Sequence, residues 1–470
     1  MNRRSFIQKT GLLFGGLVIS LESYPFIRLK RNAIVRGRVT NGLKGLNNVV
    51  VSDGYAVVLT DINGNYTLTT DVKASSIWIS TPAGYEFNAE ESVAKHYHIL
   101  GSKNEYNFEL RSLGKDDSKH NFLIWADPQV KNKKDVSQMM DTAVPDVQQL
   151  IAEMDAGTLV HGIGVGDLVW DNHALFADYN AAVKQMNIPF FQALGNHDMD
   201  YRMGGDETSD RTFKETYGPT YYSFNRGKAH YIVLDDVRYL GNEREYDGYI
   251  SGNQLDWLKK DLQYVAKDQL IIICLHIPVY NSVKNNSDFY ALLEGYPHVH
   301  IMSGHTHYNA NHVSKGIYEH NHGTVCGAWW TGPICSDGTP RGYGVYEVDG
   351  NDLKWYYKST GRERKEQMSV YLDKLTNQVR LIANVWNWDP EWKVTYFLDD
   401  RAMGEMEQQK GFDPLAVELY LGDQLPLGRT FAEPKKMDHL FMAHFDPTVK
   451  KVKVKAVDRF GEQYITEINT

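Results

Sequence analysis

Between His120 and Gly361, short apolar runs alternate with amphipathic stretches. The runs are Phe122 to Trp125, Leu159 to Val165, Pro189 to Leu194, His230 to Leu234, Leu270 to Leu275 and Val299 to Met302. Each is too short for an ordinary helix and lacks the alternation of a half-exposed strand, so each reads as a strand buried on both faces. Between them, Ser251 to Gln263 is predicted to be helical, with Ser251 as N-cap and Leu255, Leu258 and Leu262 on one face. Strands interleaved with helices predict an α/β layered core (an α+β sandwich), here bounded at residues 118–365.

On either side the period changes to two. Ile34 to Thr40 alternates, Asn48 to Ser52 and Tyr55 to Leu59 flank an Asp-Gly pair, and Asp61 to Tyr66 is a turn leading into Thr67 to Thr69. A β-sandwich is predicted over 33–113. Downstream, Val379 to Val385, Lys393 to Phe397 and Lys450 to Val457 read as strands, the last with its lysines outward, so 368–470 is predicted to be a second all-β domain.

The chemistry lies where the core strands stop. Phe122 to Ala126 ends in Asp127-Pro128-Gln129, and Leu159 to Val165 in Gly166-Asp167. Phe190 to Leu194 ends in Gly195-Asn196-His197-Asp198, Ile271 to Leu275 in His276, and His300 to Met302 in Ser303-Gly304-His305-Thr306-His307. Ligands of open α/β sheets bind at the carboxyl ends of strands. Imidazole and carboxylate donors gathered there suit Zn, Fe, Mn or Mg, and their number suffices for two ions if one carboxylate bridges. Taken singly, a strand-end Asp is more often a cap or turn residue and a lone His a packing residue. The joint pattern carries the inference.

Those residues also carry a resemblance. Asp-x-Gln, Gly-Asp, Gly-Asn-His-Asp, a lone strand-end His and Gly-His-x-His, in that order, resemble the calcineurin-like metallophosphoesterase superfamily over about residues 120 to 360. The flanking β domains look like those of exported bacterial members, and Thr60-Asp61 to Leu68 resembles a transthyretin-like module. The resemblance implies Asp127, Gln129 and His307 at one metal, Asp167 as the bridge, and Asn196, His276 and His305 at the second. It implies His197 as the catalytic imidazole, oriented by Asp198. Gln129 departs from the commoner His, and an amide oxygen is the weaker ligand. The implied reaction is hydrolysis of a phosphomonoester or phosphodiester by a metal-bridging hydroxide. The alternative is a catalytically weak glycan- or partner-binding protein on the same core. A degenerate site would be expected to lose Asp167, Asn196 or His305, and all three are present.

Charge and composition narrow the partners. The 470 residues suit several domains, and a net charge of -9 with no long basic run gives no footprint for duplex nucleic acid. Residues 1–23 read as an export signal: Arg3-Arg4-Ser5-Phe6-Ile7 resembles a twin-arginine motif, followed by an apolar run from Gly11 to Leu21 too short to span a bilayer. A periplasmic or extracellular location follows, with no stable membrane span. No clean cleavage site is visible, so an uncleaved signal anchor stays open. Cys326 and Cys335 pair after export or remain thiols, while Cys274 reads as a buried thiol. His96, His98, His161, His173, His230, His298, His300 and His312 read as packing or surface residues, and His320 and His322 as loop residues with packing first and substrate contact second. Trp329-Trp330 reads as packing first and pocket wall second, and Arg341 as a turn residue or an anion ligand.

Overall fold

The computed structural model describes residues 32–423, 425 and 433–470. The expected export signal over 1–23 lies outside the described residues. Among the described residues no helix is long and apolar enough to cross a membrane.

Two sheets face each other in the core. One has seven strands in the order Asp352–Ser359, Gly342–Asp349, Lys119–Trp125, Val160–Val165, Phe190–Ala193, Val93–Ala94 and Ala89–Glu90. The other has six, in the order Tyr222–Arg226, Ala229–Val233, Leu270–Cys274, Val299–Ser303, Ile317–Asn321 and Ala310–Ser314. Lys119–Trp125, Val160–Val165 and Phe190–Ala193 run parallel, as do Ala229–Val233, Leu270–Cys274 and Val299–Ser303. Their continuous apolar runs are explained by burial on both faces. Between the sheets Phe191 stacks on Phe224 with ring centroids 3.8 Å apart, and Phe122 meets Tyr231 edge-on at 5.4 Å. The helices Val144–Glu153 and Phe176–Met186 bury Val147, Leu150, Tyr179 and Val183 in the same core. The expected helix at Ser251 forms over Gly252–Asp261, with Ser251 Oγ accepting from the Gln254 N–H at 3.4 Å. Trp257 is its deepest side chain, alongside Leu258.

The N-terminal β region has its own core of Val35, Val39, Leu68, Ile77 and Ile79. It also joins the core. Val93 pairs with Phe190 at the edge of the seven-stranded sheet, and Trp78 and Phe87 pack into the main core. An open strand edge is a row of unpaired backbone groups, and the short strand Val93–Ala94 caps it.

In the C-terminal region two four-stranded sheets enclose Leu381, Val385, Val394, Phe441, Val452 and Val454. Lys451, Lys453 and Lys455 alternate with the buried Val452, Val454 and Ala456. One helix, Pro414–Leu421, leaves this sandwich. It starts at Asp413, whose Oδ1 accepts from the Ala416 N–H at 2.9 Å, with Pro414 in the first turn. Ala416 and Tyr420 pack on Ala328 and Ile334, and the Tyr420 hydroxyl donates to Ile334 O at 2.6 Å. The C-terminal region thus buttresses the loop beside the candidate ligands.

Candidate metal centre

All seven expected ligands converge at the carboxyl edge of the two sheets. Five of them hold positive φ: Asp127 at 48°, Gln129 at 40°, Asp167 at 52°, His305 at 69° and His307 at 57°. Left-handed backbone in residues with a Cβ is unfavourable and clusters at functional sites. Here it turns each chain sharply as the strand ends, so the side chains point back along one edge. Space is equally tight. A Cβ on Gly195 would lie 2.0 Å from Asp167 N, and one on Gly304 would lie 2.5 Å from Asp127 Oδ2.

Four residues form one group. His276 Nδ1 lies 2.8 Å from Val165 O, which fixes the ring and turns Nε2 inward. That Nε2 is 3.1 Å from Asn196 Oδ1, 3.3 Å from Asp167 Oδ1 and 3.1 Å from His305 Nδ1. Donor atoms of Asp167, His276 and His305 lie within 4.8 Å of one another. Burial opposes a charge on His276, but Asp167 outweighs it and pushes its pKa up to about 10. Lone pairs crowded in this way call for a cation, and a metal ion meets that demand.

Asp127, Gln129 and His307 form the second group. Asp127 Oδ2 accepts from the His305 N–H at 2.8 Å, and His307 Nε2 is 3.4 Å from Asp127 Oδ1. Gln129 Nε2 donates to Asp167 Oδ2 at 2.6 Å. Asp127 Oδ1 and Gln129 Oε1 are buried without a hydrogen-bond partner. Buried oxygens without partners are costly, and a cation between them removes the cost. The donor set therefore fits two divalent ions sharing Asp167.

His197 lies beside both groups. Its N–H donates to Asp167 Oδ1 at 2.8 Å, and its Nδ1 is 2.8 Å from Asp171 Oδ1. Burial disfavours charge on this ring, but Asp167, Asp171 and Asp198 together raise its pKa. The expectation that Asp198 orients His197 is corrected: the carboxylate on the ring is Asp171, which also pairs with Arg244. Asp198 instead accepts three backbone N–H groups, from Leu168 at 3.2 Å, Val169 at 3.1 Å and Gly195 at 3.0 Å. It ties the Asp167 turn to the Asn196 turn. Asp171 carries a signal that the sequence reading passed over, a carboxylate one turn beyond Asp167. Asp236 was also missed, although it lies just past the strand Ala229–Val233. It is wholly buried and accepts from the N–H groups of His276 and Ile277, both at 3.1 Å.

Other expectations resolve around this edge. His320 and His322 take the packing role. His320 Nε2 meets His300 Nδ1 at 3.0 Å, and His322 Nε2 meets the Tyr346 hydroxyl at 2.8 Å, all buried between the sheets. His320 lies in the strand Ile317–Asn321, and His322 directly follows it. Cys274, Cys326 and Cys335 are buried free thiols. The Arg341 guanidinium sits over the Trp330 ring at 5.6 Å. A large cavity of about 1100 Å³ lies at the opposite end of the seven-stranded sheet, between Lys119, Glu153, Asp349 and Arg364, and touches none of the candidate ligands.

Comparison with known proteins follows the same division. A family model described as calcineurin-like phosphoesterase matches residues 120–309. Models described as the N terminal and the C terminal of calcineurin-like phosphoesterase match 33–113 and 319–464. A phosphoenolpyruvate phosphatase of Allium cepa is 24% identical over 275 residues, 49% of this chain and 53% of that protein. The chain thus spans about half the length of that curated relative. A dimetal phosphatase from Danio rerio is 13% identical over 56% of this chain and 95% of its own, with a TM-score of 0.36. A purple acid phosphatase from yellow lupin (Lupinus luteus) is 12% identical over 80% of this chain and 74% of its own, with a TM-score of 0.38.

Proposed function

This chain belongs to the calcineurin-like phosphoesterases of three-part architecture, and from that premise we propose that it is an exported, dinuclear metal-dependent hydrolase of phosphomonoesters or phosphodiesters. The observation that carries the reading is the pair of buried oxygens, Asp127 Oδ1 and Gln129 Oε1, that accept no hydrogen bond beside the crowded Asp167, His276 and His305 donors. Asp127, Gln129 and His307 would hold one ion, Asn196, His276 and His305 the other, with Asp167 between them. Two divalent ions, when bound, would supply positive charge to the phosphoryl oxygens and lower the pKa of a water.

The chain's own residues supply the rest. Asp171 holds Nδ1 of His197, so a protonated ring presents Nε2–H towards the substrate. That proton goes to the leaving oxygen as the phosphorus–oxygen bond breaks. Asp198 and Asp236 keep the two ligand turns in register through backbone hydrogen bonds. Export is read from the twin-arginine-like start of the chain.

The test is hydrolysis of p-nitrophenyl phosphate and bis-p-nitrophenyl phosphate by metal-stripped protein resupplied with Mn, Mg, Zn or Fe. Metal-dependent turnover is expected, and the preferred ester sorts monoesterase from diesterase. A folded protein that takes up no metal and turns over neither ester would favour the binding-protein alternative.

A further inference from the structure

The strands Val237–Tyr239 and Tyr246–Gly248 pair as an antiparallel hairpin. Its stem is held by Arg238, whose Nε and Nη2 donate to the two oxygens of Asp247 at 2.8 and 2.7 Å. Tyr246 sets its ring edge-on to His305, with centroids 5.9 Å apart, so the hairpin reaches the second ligand group. Arg244, two residues earlier, reaches the leaving-group side. Its Nη2 pairs with Asp171 Oδ2, while Asp171 Oδ1 lies 2.8 Å from His197 Nδ1. Guanidinium and imidazole thus share one carboxylate. The Arg244 pair is an ion contact, not an aligned hydrogen bond, because Asp171 Oδ2 accepts none. The Arg244 side chain is 60% exposed, and its fork of N–H donors stays available. A second cation comes from the loop of the first ligand group. The Lys131 ammonium lies over the Trp170 ring at 5.0 Å, and that ring lies 5.0 Å from the ring of His197. Among the described residues Lys131 Nζ forms no ion pair or hydrogen bond, and Asp135 takes the Lys131 backbone N–H instead, at 3.0 Å. The neighbouring acids are engaged elsewhere, Asp198 with backbone N–H groups and Glu243 with Arg202. Exposed ion pairs add little stability, so folding does not account for two cations held here by a chain of net charge -9.

We propose that Arg244 and Lys131 read a second negative charge on the substrate, carried by its leaving group as a carboxylate or a further phosphate. The inference rests on the hydrolytic reading of the site. His197 faces the leaving oxygen, so cations that reach it through Asp171 and Trp170 lie where the rest of the leaving group must pass. A guanidinium fork suits either oxyanion, and an ammonium adds a point charge. A neutral leaving group would gain nothing from them. Carboxylate and phosphate share this chemistry, and the experiment separates them.

The experiment measures kcat/KM for phenyl phosphate, 3-carboxyphenyl phosphate and 1,3-phenylene bisphosphate with the metal-loaded protein and its variants Arg244→Gln and Lys131→Gln. The esters share one ring and differ in the charge it carries. The wild type is expected to favour a charged ester over phenyl phosphate by about tenfold or more, and each variant to cut that ratio by about fivefold. The wild-type ratio should also shrink as sodium chloride rises from about 0.05 M to about 0.5 M. Metal content should stay at wild-type values. A preference for the carboxylated ester alone assigns a carboxylate, and for the bisphosphate alone a phosphate. A wild type without preference would overturn the proposal. So would losses that fall equally on all three esters, because the two residues would then only support the catalytic loops. If the wild type turns over none of them, the hydrolytic reading fails separately. Calorimetry with phenylphosphonate and 3-carboxyphenylphosphonate then decides. Tighter binding of the carboxylated compound that Arg244→Gln removes sustains the anion contact, and equal binding sinks it.

Discussion

His276 and His161 are equally buried, at 0% and 1% exposure, yet their surroundings are opposite. His276 ends a strand and faces Asp167, Asn196 and His305, and the carboxylate pushes its pKa up to about 10 against the pull of burial. His161 sits mid-strand among Phe87, Phe122, Phe224 and Tyr231, where burial drives its pKa far down. His96, His120, His300, His320 and His322 share the second condition. One residue type thus serves two physics within one sandwich. At the strand ends excess negative charge demands a cation, and between the sheets histidine stays neutral as a polar-tipped aromatic.

The most severe way to break this contrast is Asp167→Asn. It removes the charge that separates His276 from a core histidine and the carboxylate that serves both ligand groups. Both ions should be lost on dialysis, and turnover should fall on the order of 10³-fold or more. Emission spectrometry of the dialysed variant, alongside p-nitrophenyl phosphate turnover, checks this. Retention of two ions and a tenth of the activity would show that the edge needs no charged bridge.

His197→Ala probes the edge without touching a ligand. Metal content should hold while esters with poor leaving groups slow by about 10²–10⁴-fold and activated esters slow far less. Asp171→Asn should follow the same leaving-group trend at about 10–100-fold, because it acts through the ring. An Asp198→Asn variant with that leaving-group signature, and an Asp171→Asn variant without it, would reverse the assignment of the ring's partner. Smaller again is Gln129→His. Replacing an amide oxygen with an imidazole should tighten the more labile ion about tenfold in competition with a chelator. Weaker binding would mean that the Gln129 hydrogen bond to Asp167 matters more than the ligand it lacks.

Much of this was legible in the sequence for a simple reason. Strands buried on both faces are unbroken apolar runs, so the polar residue that ends each run is visible, and five such ends gave the seven candidate ligands. The same rule would have exposed the Asp235-Asp236 pair, had the run from His230 to Leu234 been followed past its end. Asp171 and Asp198 were harder. Both are turn carboxylates near His197, and only the path of the backbone decides that Asp171 reaches the ring while Asp198 turns to N–H groups. The strand Ile317–Asn321, which holds His320 and ends just before His322, went unread because it carries Tyr, Glu, His and Asn where an apolar run was sought. The helix Pro414–Leu421 went unread in a region of alternating strands, although Asp413-Pro414 is a helix-start signal.

The gentlest test lies in the interior, at His96. Its ring packs on Tyr222 at 4.3 Å between centroids, and neither ring nitrogen has a hydrogen-bond partner. Burial, aided by Lys95, pushes its pKa down to about 3. Above pH 6.5 the folded and unfolded states are both neutral at this position, and it contributes nothing to pH dependence. As the pH falls below 6.5 the unfolded chain takes up a proton that the folded chain refuses, so stability drops by about 1.4 kcal/mol per pH unit for this ring. His96→Leu keeps much of the volume and removes two buried nitrogens without partners, so at pH 8 it should lie within about 1 kcal/mol of wild type. At pH 5 the variant should be the more stable of the two by about 2 kcal/mol relative to their difference at pH 8. Urea unfolding of metal-stripped protein at the two pH values measures this directly, with the ions removed so that the strand-end histidines do not dominate the comparison. A gap that stays constant between pH 8 and pH 5 would mean that His96 takes its proton in the folded state, and that the interior is wetter than its aromatic packing implies.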